Sequence, residues 1–391
     1  MDMALINLLT DVRRISPEDK QCFFGYYDLQ AYDETDRYHL YGETAFIDRT
    51  PEVGDGIVLG YIDTVTGKTA EFAKSNLWNF QQGCMLQWYG KDTVCYNIYE
   101  NDKTRNPFAV GNMCVHNLLT GEKRYTDRPC AAVSPDGRYG LSVNFGRIYD
   151  FRTGYGYVMT PDKNKHINCP CDDGIFLVDM TTGKSRLIIN YRDCLKMLDL
   201  KGMENAKFVV NHITFNTASN RFLFLLRNFP ADGLDWYTTL ITSDLNGNMN
   251  VIFANTYVSH YFWKNEKQIL AHCTPKDKKG LFLIDDISND FTELASPFFT
   301  DDIHCIYSPD RRYIIGDGYA IHDEYRPLFI YNPETERTEY LLKAETIVPD
   351  DINIRCDLHA RWNRKGDKIS FDTTDRGRRE ICELNMKGVN I

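Results

Sequence analysis

Two short motifs recur along the chain, and their spacing constrains the fold more than any other feature. The first is a polar turn that leads into an apolar strand, as in SPDRRY at 308–313 and SPDGRY at 134–139. The second is a hairpin of the form Asp-x-x-Thr-Gly, which recurs with variations at 63–67, 118–121, 179–183 and 244–247. About seven copies at intervals of roughly 40 to 65 residues are typical of propeller blades.

The predicted fold is an all-β, seven-bladed β-propeller that forms a single domain over residues 1–391. Length alone would allow two domains, but no stretch has the composition of a linker. Aromatic residues make up 13% of the chain, which favours strands. Propellers often close by pairing an N-terminal strand with the last blade, which removes free sheet edges. Residues 1–20 are interpreted as an extension with a possible short helix, and the segment around 22–28 as the closing strand.

Charge and composition exclude several classes of protein. The formal net charge is -10 and no long basic run exists, which argues against a nucleic-acid surface. No stretch reaches the roughly 18 apolar residues of a membrane span. The N-terminus does not resemble a secretory signal, so we expect a cytoplasmic location and reduced thiols for the 12 cysteines. An acidic chain can still bind an acidic sugar if a few Arg and His line one pocket.

The segment at 144–157 is the least ordinary stretch of the chain, with two Arg, three Tyr and three Gly in 14 residues. Arginine offers a planar fork that matches a carboxylate, and glycine lets the backbone approach a ligand. Tyrosine offers a stacking face and a phenol proton. An ordinary long connection with structural arginines is the alternative. The candidates for substrate binding, here and elsewhere, are Gln81, Gln82, Arg152, Tyr157, Trp236 and Arg361.

Histidines precede the inner strands of three successive predicted blades, at His260, His304 and His359. Equivalent positions of successive blades converge on the propeller axis, so these imidazoles are predicted to meet. Asp357 lies two residues before His359, and strand alternation puts both side chains on one side. Imidazoles and a carboxylate are the ligands expected for manganese, zinc or iron. These four residues form a candidate metal site; the alternative is that each histidine is structural.

Several of these segments resemble the seven-bladed propeller polysaccharide lyases, specifically the oligogalacturonate lyases and, more weakly, the ulvan lyases. The resemblance is strongest after about residue 205 and includes SHYFW at 259–263 and DLHARW at 357–362. In oligogalacturonate lyases, histidines at the places of His304, Asp357 and His359 help to bind manganese. Asp357 therefore replaces one histidine ligand, so the resemblance implies an altered metal site.

The resemblance also implies β-elimination at a uronate by a carbon–oxygen lyase that acts on polysaccharides. A base removes the C5 proton, an acid protonates the leaving oxygen, and a cation neutralises the carboxylate. His212 or Tyr155 is the expected base or acid. Arg227 and Arg147 are expected to clamp the carboxylate, and a manganese or zinc ion could do the same. The expected partner is an acidic oligosaccharide. The alternative is a non-catalytic propeller that binds a glycan or a protein, because fold does not fix function.

Overall fold

Seven antiparallel sheets, each formed mainly by consecutive strands, make up the structure. A computed structural model describes residues 5–7, 12–100, 111–198, 206–229, 236–319 and 325–389. Within these residues six sheets have four strands and one has five. Each sheet is one blade, and the predicted seven-bladed β-propeller is confirmed.

Two short strands precede the first blade: β1 (Leu5–Asn7) and β2 (Val12–Arg14). Blade 1 contains β3 (Gln21–Phe23), β4 (Tyr38–Thr44), β5 (Ile57–Asp63) and β6 (Thr69–Ser75). Blade 2 contains β7 (Gln87–Gly90), β8 (Thr93–Ile98), β9 (Asn112–Asn117) and β10 (Lys123–Tyr125). Blade 3 contains β11 (Ala132–Val133), β12 (Tyr139–Ser142), β13 (Gly174–Asp179) and β14 (Ser185–Asn190).

Blade 4 contains β15 (Lys207–Phe215), β16 (Arg221–Phe229), β17 (Tyr237–Asp244) and β18 (Met249–Thr256). Blade 5 contains β19 (Val258–Trp263), β20 (Gln268–Cys273), β21 (Gly280–Asp285) and β22 (Phe291–Leu294). Blade 6 contains β23 (Ile303–Tyr307), β24 (Ile314–Gly318), β25 (Tyr325–Asn332) and β26 (Arg337–Glu345). Blade 7 contains β27 (Arg361–Trp362), β28 (Lys368–Thr373) and β29 (Glu380–Asn385).

The N-terminal strand β2 closes the ring by pairing antiparallel with β29, with Arg14 opposite Cys382. The guanidinium of Arg14 strengthens this closure because it pairs with the buried carboxylates of Asp375 and Glu380. Closure by the two ends of the chain is therefore confirmed. The segment around 22–28 does not make it, because residues 21–23 pair with β4 and begin blade 1.

The short helix considered for residues 1–20 is wrong for the parts of that range that the structure describes. Residues 5–7 pair with β26 as a fifth strand of blade 6, and residues 12–14 pair with β29. Each pairing supplies hydrogen-bond partners to the backbone of a sheet edge that would otherwise be open. Residues 1–4 and 8–11 lie outside the described residues.

Strand burial follows position within a blade. The seven central residues of β16 are all buried, because both faces of an inner strand pack against neighbouring blades. The fourth strand of blade 1, β6, instead has exposed and half-buried residues along most of its length. Buried polar groups on inner strands therefore need hydrogen-bond or ion-pair partners, and the candidate functional site consists of such groups.

The Arg/Gly/Tyr-rich segment begins with a helix, α1 (Phe145–Phe151), where an irregular connection was the alternative. Asn144 caps α1 by accepting a hydrogen bond of 2.9 Å from the backbone N–H of Arg147. Gly156 is needed for the packing, since a Cβ there would lie 2.2 Å from the backbone nitrogen of Tyr149. A second helix, α2 (Tyr191–Leu198), follows β14. No described helix is long and apolar enough to cross a membrane.

Candidate functional site

Four histidines from four successive blades lie close to one another. His212 lies on β15, His260 on β19 and His304 on β23, while His359 stands two residues before β27. The ring centres of His260 and His304 are 4.0 Å apart, and those of His304 and His359 are 4.6 Å apart. Histidines on, or just before, the first strands of blades 5 to 7 therefore lie together, as the spacing of the repeats indicated.

Irregular backbone accompanies three of these histidines. His212 is the extra residue of a bulge in β15, where pairing steps from Asn211 to Ile213, and its φ is 49°. Pairing of β19 is also interrupted across His260, and His359 has a φ of 44°. Positive φ is uncommon outside glycine, and bulges redirect side chains. Local strain of this kind concentrates where a fold must aim particular side chains.

Two tyrosines fill the space between the imidazoles. The ring of Tyr26 stacks on His212 with centroids 5.2 Å apart and meets His359 edge-on at 4.9 Å. The ring centre of Tyr27 lies 5.2 Å from that of His304. Burial raises the pKa of both phenols well above the usual value, so both stay protonated. Neither tyrosine was among the site residues predicted from the sequence.

Three of the four residues predicted to bind a metal form one cluster. Ligand atoms of His304, Asp357 and His359 all lie within 4.8 Å of one another, and all three residues are buried. The Nε2 atoms of both histidines have no hydrogen-bond partner. Two such imidazole nitrogens beside a carboxylate fit a divalent cation such as manganese or zinc. His260 lies outside this cluster, although its ring touches that of His304.

Two arginines already pair with the carboxylate of this cluster. Arg326 Nη1 and Arg355 Nε each lie 2.8 Å from an oxygen of Asp357. These are ion pairs by distance, although the atoms lack hydrogen-bond alignment. Burial opposes ionisation of Asp357, yet Arg355 and Arg326 hold its pKa below the usual range. Asp357 is thus a carboxylate that is already neutralised by the protein.

The pKa values of the two imidazoles of the cluster are shifted in opposite directions. Burial and the neighbouring His304 hold the pKa of His359 well below its usual value. Burial also lowers the pKa of His304, but the carboxylate of Asp317, 3.0 Å from its Nδ1, outweighs this and raises it. Asp317 therefore orients His304 so that Nε2 faces the cluster, which is the usual arrangement behind a metal-binding histidine.

A cleft of about 410 Å³ lies beside the cluster, between blades 4, 5 and 6. This volume is within the range of small-molecule sites. Five sequence candidates line the cleft together with one residue predicted as a metal ligand. The residues are Arg152, Tyr155, His212, Arg227, Trp236 and His260.

His260 is held in the cleft wall by a carboxylate from the next blade. Its Nδ1 lies 3.0 Å from Asp302 Oδ1, and Ser259 Oγ donates to the other oxygen of Asp302 at 2.7 Å. Burial and His304 lower the pKa of His260 to about 4, so the ring is neutral at pH 7. With Nδ1–H directed at Asp302, Nε2 carries the lone pair, which is the arrangement of a general base.

Arg227 brings a fixed positive charge to the same cleft. Its Nε donates to Asn211 at 3.1 Å and its Nη1 donates to the backbone oxygen of Val258 at 3.0 Å. Burial and Arg152 lower the pKa of Arg227 to about 10, which leaves it protonated at pH 7. Burial and Arg227 also hold the pKa of His212 well below its usual value. The cleft therefore combines two guanidinium groups with two neutral imidazoles.

Tyr155 is positioned by the guanidinium of Arg355, which also pairs with Asp357. Arg355 Nη2 donates to the Tyr155 oxygen at 2.9 Å, and the ring of Tyr155 meets His212 edge-on at 5.1 Å. The guanidinium of Arg152 lies 4.6 Å from the centre of the same ring. The Tyr155 oxygen is therefore the acceptor in its contact with Arg355.

Three other sequence candidates, Arg147, Tyr157 and Arg361, do not line the cleft. Arg147 is fully buried and pairs with Asp162 at 3.1 Å. Tyr157 accepts from the Asn97 amide at 2.9 Å. Arg361 pairs with Asp372 at 3.1 Å.

The two glutamine candidates also lie away from the cleft. Gln81 is buried and donates to the backbone oxygen of Arg355 at 2.9 Å. Gln82 lines a separate small cavity that also contacts His212 and Tyr26. Neither glutamine lines the cleft.

Asp302, Arg326 and Arg355 are site residues that the sequence motifs did not single out. Asp302 has a usable signal, because it precedes His304 by the same two residues that separate Asp357 from His359. The repeated spacing does not reveal that Asp302 contacts the histidine of the preceding blade. The two arginines have no such signal, since their role depends on where Asp357 lies in space.

No model of a known protein family matches the chain, and no curated protein sequence does. An oligogalacturonate lyase in complex with manganese is 15% identical, with a TM-score of 0.69 over 99% of this chain and 97% of that one. An oligogalacturonate lyase from Vibrio parahaemolyticus is 13% identical, with a TM-score of 0.66 over 99% and 98%. The tricorn protease reaches 0.51 at 11% identity and covers 92% of this chain but 34% of its own. The chain thus has the propeller fold of the oligogalacturonate lyases, and the resemblance inferred from its segments is confirmed for the fold.

Proposed function

We propose that the protein binds an acidic oligosaccharide in the cleft and cleaves it by β-elimination at a uronate. One observation carries this proposal: a buried, protonated arginine and a neutral histidine–carboxylate pair line the same cleft. Elimination requires both groups, since a carboxylate must be neutralised while a base removes the adjacent proton. Arg227 supplies the charge, and His260 with Asp302 supplies the base.

The proton transfers follow from the hydrogen bonds of the site. The carboxylate of the substrate binds the Arg227 guanidinium, whose positive charge strengthens the hydrogen bond. Nε2 of His260 takes the C5 proton, and the resulting imidazolium is stabilised by Asp302. Electrons of the C5–H bond form the C4–C5 double bond as the C4–O bond breaks. The phenol of Tyr155 gives its proton to the leaving oxygen, with the phenolate stabilised by Arg355.

His304, Asp357 and His359 are the residues that would hold a manganese or zinc ion. When bound, such an ion supplies Lewis-acid charge beside the site. The cluster residues do not line the cleft. His260 and Tyr319 do line it, and the rings of both contact that of His304. Neutralisation of the substrate carboxylate is therefore assigned to Arg227, helped by Arg152, and not to the ion.

The test is a screen of purified protein, with added manganese, against oligomers of galacturonate, mannuronate and glucuronate-containing sugars. The C4–C5 double bond of the product absorbs in the ultraviolet. We expect product from at least one oligomer, and a loss of about 10²–10³-fold in Arg227→Met. Arg138→Met, which removes a surface arginine, is the control and should keep wild-type activity. Binding without product would instead support the non-catalytic glycan-binding alternative.

A further inference from the structure

Exposed aromatic residues gather at the mouth of the cleft. The exposed large hydrophobic residues of the described chain include three aromatics, Trp236, Tyr237 and Tyr257, and the rest are aliphatic. All three aromatics line the cleft. Exposed aliphatic residues scattered singly are ordinary, whereas a group of large aromatics at one cleft indicates a binding surface.

Trp236 and Tyr257 pack against other aromatic rings of the protein. The ring of Trp236 lies 5.6 Å from that of Phe151, at the end of α1, and 6.0 Å from that of Phe229. Tyr257 contacts His272 edge-on at 5.8 Å. Trp236 is nonetheless 45% exposed and Tyr257 is 37% exposed. The indole is thus packed on one side and open on another, which suits it to stacking against a flat ligand.

We propose that Trp236, Tyr237 and Tyr257 form an aromatic subsite for a second sugar, next to the uronate held by Arg227. The C–H faces of a pyranose are apolar and stack on aromatic rings, while its hydroxyl groups stay in water. The charged residues Arg152 and Arg227 line the same cleft, so one ligand must satisfy both surfaces. An oligosaccharide with a carboxylate on one unit and a neighbouring ring for stacking has this chemistry. The inference rests on the proposed function, and it defines the minimum ligand as a disaccharide.

Tryptophan fluorescence can test the subsite without turnover. The chain has five tryptophans, and Trp78, Trp88, Trp263 and Trp362 are all buried. Quenching by acrylamide therefore reports mainly on Trp236. Quenching would be measured in the His260→Gln background, which lacks the proposed base, with galacturonate monomer, dimer and trimer, and with a neutral glucose trimer.

We expect the uronate dimer and trimer to protect Trp236 from quenching and the monomer to leave it accessible. Trp236→Ala should weaken trimer binding about tenfold by calorimetry and leave monomer binding unchanged. Trp236→Phe, which keeps a stacking ring, should retain most of the affinity. Leu119→Ala, which removes an exposed residue outside the cleft, is the matched control and should bind like wild type.

The outcomes separate the subsite from the proposed function. If uronate oligomers bind while Trp236 stays fully quenchable, the subsite is overturned and uronate binding stands. An equal loss of monomer and trimer affinity in Trp236→Ala would also overturn it, because the ring would then serve the reacting unit. If the neutral trimer protects Trp236 as well as the uronate trimer, the stacking subsite stands and the uronate assignment fails. If none of these sugars protects Trp236 and calorimetry detects no binding of any of them, both are overturned.

Discussion

Replacement of Asp357 by Asn tests the charge arrangement at the centre of the site. The side chain of Asp357 is fully buried, and those of Arg326 and Arg355 are 4% and 3% exposed. The three groups carry a net charge of +1 together, which rises to +2 when Asp357 becomes neutral. Breaking a buried ion pair costs about 3–5 kcal/mol, because the remaining charge is left unpaired. Two guanidinium groups lose their partner here, so we expect a loss of at least about 3 kcal/mol.

The assay is urea denaturation in EDTA. The free energies of unfolding are compared between variants that have equal m-values, the slope of that free energy against urea concentration. Arg326→Met should cost less than Asp357→Asn, because Arg355 still pairs with the carboxylate and the net charge falls to zero. Asp172→Asn is the surface control: Asp172 and Lys163 are 2.9 Å apart with side chains 59% and 67% exposed. Such exposed pairs contribute between zero and about 1 kcal/mol. An Asp357→Asn variant no less stable than Asp172→Asn would refute the buried arginine–aspartate arrangement.

Three further predictions concern the metal, the pH dependence and the structural arginine. Metal analysis of protein purified without chelator should find about one manganese or zinc per chain, lost in His304→Ala and His359→Ala; metal-free wild type would contradict the cluster. Burial lowers the pKa of His39 to about 3 from about 6.5 in the unfolded chain, so the unfolded state binds a proton that the folded state does not. Stability should therefore fall as the pH drops from about 6.5 towards 3, by up to roughly 1.4 kcal/mol per pH unit, and urea denaturation should give a shallower slope for His39→Gln. Arg147→Met should cost about 3–5 kcal/mol because it leaves the buried Asp162 unpaired, yet leave activity per folded molecule unchanged; loss of activity without loss of stability would contradict this structural role.

The repeats predicted the fold because blade hairpins leave a local signal. Each polar turn and Asp-x-x-Thr-Gly hairpin is readable on its own, and their number gave the number of blades. Closure was harder to place. The aromatic run at 22–28 looked like the closing strand, whereas the short segment at 12–14 makes the pairing. A three-residue strand has too little pattern to read, and its stability comes from contacts with residues such as Asp375, far away in the sequence.

The site was predictable where it followed the blade repeat. His260, His304 and His359 occupy comparable positions, so their convergence could be inferred from spacing. Whether a side chain faces the cleft or the core could not be inferred in the same way. Arg147 and Arg152 lie in one short segment, yet α1 turns the first into a buried ion pair and leaves the second in the cleft wall. The pairing of Asp302 with His260 joins two blades, and no local pattern reports such a contact.

The most direct test of the account is the ultraviolet absorbance of unsaturated uronate, compared between His260→Gln and His116→Gln. Both histidines are buried, and His116 lies on β9, outside the cleft. The account predicts that wild type and His116→Gln release unsaturated product from a uronate oligomer. It predicts that His260→Gln loses about 10²–10⁴-fold in rate while its unfolding midpoint stays close to that of wild type. Equal product from His260→Gln and wild type, or no product from any uronate, would contradict the account.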